Sequence, residues 1–100
     1  LDILLLPRSL VLILQNFTMS LQEFDALIDR MQLAFDYAEN LGQYVDAAKI
    51  LYQMNEQLPD DLQISLEELD EPEMAKSFVM RYNSNIKSAI VDYRQRLMNF

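Results

Sequence analysis

Two pairs of carboxylates stand at a spacing that could hold a metal ion. Asp36 and Glu39 are three residues apart, as are Glu67 and Asp70. On a helix, residues three apart share a face, and two such faces turned together offer the oxygen ligands that Mg²⁺ needs. Little else in the chain supports bond chemistry. Its 100 residues include no His and no Cys, and the single Gly is Gly42. Without imidazole there is no base poised near neutral pH. Without a thiol there is no thiolate nucleophile, and one Gly cannot build a phosphate cradle. A Ser nucleophile would need Lys as its base, and no Ser-Lys pair stands on a turn that would expose it.

The acidic spacing resembles that of all-α nucleotide pyrophosphatases, which hold Mg²⁺ on facing helices, and the resemblance implies a metal-dependent hydrolase. Against it, Glu67 and Asp70 fall just before Pro72 in a segment without a regular helical pattern. No set of Lys or Asn is arranged for phosphates. A chain with sixteen carboxylates yields such spacings by chance. The expectation is therefore no catalytic residue, no metal ligand and no cofactor, with the hydrolase kept as a second alternative.

The elements that carry these residues read as helices. Ser20-Leu21-Gln22-Glu23 is a capping box, with Met19 and Phe24 at the staple positions. Leu21, Phe24, Leu27, Ile28, Met31, Ala34, Phe35, Ala38 and Leu41 then recur at three- and four-residue spacing, which gives one apolar face. Gly42 stands where a left-handed residue would stop the helix. A second helix follows from Tyr44 to Leu58, ended by Pro59 because the residue before proline avoids helical geometry. The short link between the two implies antiparallel neighbours. Ser65-Leu66-Glu67-Glu68 reads as a further capping box that starts one helical turn. Asp70-Glu71-Pro72-Glu73 places acids and Pro at the start of a last helix. Its apolar positions are Ala75, Phe78, Val79, Tyr82, Ile86, Ala89, Ile90, Tyr93 and Leu97, and Asn83-Ser84-Asn85 is a candidate kink.

The first eighteen residues are strongly apolar, but Pro7-Arg8-Ser9 divides them into runs of four and five. Both are far short of the roughly 20 residues of a spanning helix. Asp2 and Arg8 also fit a secretory signal poorly. A buried element is expected instead, read as a short helix from near Ser9. The sequence opens on Leu1 rather than Met, so it reads as a fragment or as following removed residues. Met19 offers an alternative start that would make 1–18 dispensable. The fold expected is all-α: one domain over 1–100, a small bundle of three main helices near 20–41, 44–58 and 72–97, plus the N-terminal apolar element, which need not belong to the minimal fold.

Gly42-Gln43-Tyr44-Val45-Asp46-Ala47, followed by Leu51, Met54 and Pro59, resembles the second half of a tetratricopeptide repeat. The first helix departs from that pattern, with Met31 at the bulky aromatic position and Phe35 where a small residue is usual. No second copy follows, and repeats need neighbours to bury their faces. The segment reads as a helical hairpin that shares the repeat's packing logic. What the resemblance implies is a protein-binding role.

Charge points the same way. The formal net charge is −8, which disfavours nucleic acid and anionic membrane and favours a basic protein partner. Eight acidic residues and no basic one lie between Glu56 and Glu73, whereas five basic residues follow between Lys76 and Phe100, against Asp92 alone. The simplest reading is that these opposite charges attract within the fold or between protomers. Apolar residues also lie off the core faces: Ala26, Leu33 and Tyr37, then Val45 and Tyr52, then Met80, Val91 and Met98. They suggest a second buried surface, either a homodimer contact or one covered by the N-terminal element. The candidate interaction surface is Leu33, Tyr37, Val45, Tyr52, Glu67, Glu68, Asp70 and Glu71. The expected function is a non-enzymatic, self-associating protein-interaction module of adaptor, chaperone-like or inhibitor type, set in the cytoplasm. The first alternative is an acidic antagonist of a basic protein: an immunity protein, an antitoxin or a nucleic-acid mimic.

Overall fold

A computed structural model describes residues 20–99; the N-terminal element over 1–18 and its expected short helix lie outside them. The described chain is all-α, as the periodicity predicts, with three helices: α1 (Leu21–Asn40), α2 (Tyr44–Glu56) and α3 (Ala75–Met98), the last preceded by a 3₁₀ turn at Pro72–Met74.

The boundaries have local causes. Ser20 is extended, and its hydroxyl accepts from the Glu23 amide at 3.1 Å, which satisfies one of the first-turn donors that a helix leaves unpaired. At the other end Gly42 takes φ +71°. There the Gln43 amide donates to the Ala38 carbonyl at 2.8 Å and the Gly42 amide to Glu39 at 3.0 Å, a Schellman closure. α2 has no side-chain cap; its last turn tightens as the Gln57 and Leu58 amides reach back to Met54 and Asn55. Pro72 begins the 3₁₀ turn that feeds α3. Asn83-Ser84-Asn85 does not interrupt α3, whose helix is continuous; Tyr82 and Ile86 on either side are buried and hold that turn by packing.

α2 is the central element and packs closely on both other helices, whereas α1 and α3 touch each other much less. The core joins Phe24, Ile28, Phe35 and Ala38 of α1 to Ala47, Ala48, Leu51 and Met54 of α2, and to Phe78, Val79, Tyr82, Ile86 and Ile90 of α3. Ala34 and Leu41, expected on this face, are exposed. They lie at the edge of the apolar arc and at the helix end, where no neighbour reaches.

Helix directions follow from which residues meet. Phe24 lies edge-on to Tyr93 with centroids 4.8 Å apart, and the Lys87 ammonium lies 5.7 Å from the Phe35 ring. Rising numbers in α1 therefore meet falling numbers in α3, an antiparallel pair. At the start of α2 the Lys76 ammonium is 5.6 Å from the Tyr44 ring, and beyond its end Asp61 pairs with Arg96. α2 and α3 are therefore parallel, and the chain must retrace the length of α2 between them.

That requirement corrects the expected helical turn at Ser65. Residues 63–70 adopt no helix. Along them Ile64 and Leu66 are half-buried against the core while Gln63, Ser65 and Glu67 are exposed, the alternation of an extended chain. Eight residues wound as a helix would rise only about 12 Å, against about 16 Å from the level of Asn55 back to that of Tyr44. An open chain covers the distance and still buries alternate side chains. The same crossover limits the likeness to a helical repeat, since no helix follows Pro59 directly.

Candidate interaction surface

The crossover is held to the bundle by side chains from both flanking helices. Asn55, the only buried polar residue among those described, donates from Nδ2 to the Ile64 carbonyl at 2.9 Å and accepts from the Ile64 amide at 2.8 Å. The carboxamide thus stands in for a neighbouring strand. Three residues earlier on α2, the Tyr52 hydroxyl donates to the Glu67 carbonyl. Its ring stacks on Phe78 of α3 with centroids 5.1 Å apart. Burial pushes the Tyr52 phenol above its ordinary value, and the Glu68 carboxylate adds to the shift. A phenol held neutral in this way suits a structural donor, not a base.

Ion pairs complete the attachment. Arg81 of α3 meets Glu67. Arg96 forks onto both oxygens of Asp61, at 3.0 and 2.6 Å, and holds that carboxyl below its usual range. The acidic middle and the basic last helix therefore attract each other within one chain. On the opposite side of α3, Arg94 Nε lies 2.5 Å from Asp25 Oδ1, at an angle too poor for a hydrogen bond, and its outer nitrogen lies 3.7 Å from Asp29. All these pairs are at least partly exposed, so each contributes little to stability.

The residues expected to form one interaction surface divide into three groups. Leu33 and Tyr37 project from α1 and are 74% and 68% exposed. Val45 and Tyr52 are corrected: both are half-buried and packed against the core, because the crossover covers that side of α2. Glu67 is exposed but engaged by Arg81, whereas Glu68, Asp70 and Glu71 have no ion-pair partner among the described residues. Of these three, Glu68, Asp70 and Glu71 all stand exposed on the crossover. The groups lie on different sides of the bundle and do not form one patch.

α3 adds Met80, Val91 and Met98 at 73%, 50% and 67% exposure, the three off-face residues visible in its periodicity. Near its start, Glu73, Lys76, Ser77, Met80 and Arg81 line a shallow, open depression. Asn55 had no signal in the sequence, since an Asn in a helix reads as a surface residue.

For the metal alternative, Glu67 and Asp70 lie on the crossover and not on a helix, so they share no helical face. Among the described residues no group of three acidic side chains gathers where an ion would sit. Nor is any described helix long and apolar enough to cross a membrane. Comparison with protein-family models, with curated proteins and with solved structures finds no match for this chain.

Proposed function

We propose that this domain is a non-enzymatic protein-interaction module that self-associates. The observation that carries the reading is the set of large apolar side chains displayed on two helices, with Leu33, Tyr37, Met80 and Met98 each about two-thirds exposed or more. Scattered apolar residues are ordinary on a protein surface. Their alignment is less so, because Leu33, Tyr37 and the helix-end Leu41 follow one another at four-residue spacing along one side of α1. The shortage of side chains able to do chemistry supports the same reading, as does the neutral, structurally engaged Tyr52. A cytoplasmic setting belongs to this proposal, motivated by a chain without cysteine.

Sedimentation of the full chain over a wide concentration range tests it. The expected result is a mass that rises with concentration and a weaker association in Tyr37→Glu. A single-chain mass at every concentration would remove self-association.

A second reading is favoured by Glu68, Asp70 and Glu71, which stand exposed and unpaired by the described residues on a segment anchored at Asn55 and Tyr52. A fixed anionic edge suits an antagonist of a basic protein, with association steered electrostatically. Its mark is binding to a basic partner that weakens steeply as salt is raised, and a flat salt dependence would count against it.

A further inference from the structure

We infer that two copies of this chain meet through α1 itself, as an antiparallel pair centred on Leu33, with Arg30 of each copy over the ring of the partner's Tyr37. The inference rests on the self-association proposed above and names its surface and its orientation.

Ala26, Arg30, Leu33, Tyr37 and Leu41 are all exposed, and their spacing of three or four residues sets them in one line along α1 and its cap. Phe24, Ile28 and Phe35 hold the opposite side of the helix in the core. The line is apolar or aromatic except at Arg30. That residue is the one basic side chain of α1, among five carboxylates, and it makes no ion pair among the described residues. Asp25 and Asp29 are engaged by Arg94, and Asp36 by Gln32. A guanidinium without a carboxylate suits the face of an aromatic ring, whose quadrupole attracts a cation. Tyr37 offers such a face on the same line, about 10 Å further along the axis. Among the described residues no cation lies over its ring.

The line matches itself when reversed. From a midpoint between Leu33 and Ala34, Arg30 and Tyr37 are equally distant, at roughly 5 Å along the axis, and so are Ala26 and Leu41, at roughly 11 Å. A two-fold axis through that midpoint sets Leu33 against the partner's Leu33 and Arg30 against the partner's Tyr37. It also sets the small Ala26 against the larger side chain of the partner's Leu41. Each contact then occurs twice, as an isologous interface requires. A parallel pair would instead set Arg30 against the partner's Arg30, and like charges repel. On α3 about three turns separate Met80 from Val91, so its exposed apolar residues make no continuous line. The charge pattern of α1 thus selects both the helix and its direction.

Disulfide trapping in the full chain tests this, because a protein without cysteine accepts one thiol at a time. The positions used are exposed, so the substitutions spare the core. In a thiol–disulfide buffer, Leu33→Cys should link to its own copy. An equal mixture of Ala26→Cys and Leu41→Cys chains should give the mixed dimer in large excess over either homodimer, and Met80→Cys should stay unlinked. Homodimers in excess would mean a parallel pair, and linkage of Met80→Cys without Leu33→Cys would mean an α3 interface; either result overturns the inference. Arg30→Gln should weaken the dimer about tenfold, since two cation–π contacts are lost. An unchanged dissociation constant would also overturn it. Sedimentation of the wild type reports self-association separately. A dimer that fails the trapping leaves the interaction module standing, whereas a single-chain mass at every concentration removes both.

Discussion

The Asn55 carboxamide and the Ile64 peptide form a closed pair of hydrogen bonds, 2.9 Å in one direction and 2.8 Å in the other. Through this pair a helix holds an extended chain as a neighbouring strand would. Both partners are also held by packing, Asn55 on the buried side of α2 and Ile64 by the apolar contacts of its own side chain.

Replacing Asn55 should therefore cost more than an average polar substitution. Asn55→Leu removes both bonds and leaves the Ile64 amide and carbonyl without partners, a loss of about 2–3 kcal/mol. Urea unfolding is the measurement, and a midpoint equal to the wild type would show that the pairing carries no weight.

Tyr52→Phe isolates the second anchor. The ring and its stack on Phe78 remain, while the bond to the Glu67 carbonyl is lost, at about 1 kcal/mol. The phenol also makes stability pH-dependent. Its folded value lies above the ordinary 10.0, so the neutral form is favoured by folding. The contribution is whole below 10.0 and disappears as pH rises through the folded value. Phenolate absorbance during alkaline titration should show a component raised above 10.0 that is absent in Tyr52→Phe.

Asp61 gives the opposite sign. Arg96 holds its carboxyl below the ordinary 3.8, so the stabilising effect is complete above 3.8 and is lost as pH falls through the folded value. In Arg96→Gln the Asp61 carboxyl should titrate closer to 3.8, as followed by carbon NMR. Both side chains are exposed, so the change in melting temperature should be small.

Gly42 tests the hairpin. A Cβ built there meets nothing within 4 Å, yet φ is +71°, so only the backbone opposes a side chain. Gly42→Ala should destabilise by about 1 kcal/mol, and Gly42→Asn by less, because Asn tolerates the left-handed region. Equal melting temperatures for the wild type and both variants would mean that the turn is not confined to that conformation.

The helices were legible from one dimension because their causes are local. Ser20 and Glu23 cap within one turn, Gly42 ends α1 by its own freedom at positive φ, and an apolar spacing of three and four needs only the helical period. The same period marked Leu33, Tyr37, Met80, Val91 and Met98 as lying off the core. The crossover was not legible. Ser65-Leu66-Glu67-Glu68 carries a helix-start pattern, and its local preference is overridden because α3 must begin beside Tyr44, a distance that a short helix cannot cover. For the same reason Val45 and Tyr52 changed from candidate surface to packing, and Asn55, which no sequence pattern marked, became the anchor of an extended segment. Whether a side chain is covered depends on residues distant in sequence, and that information exists only once the chain has closed on itself.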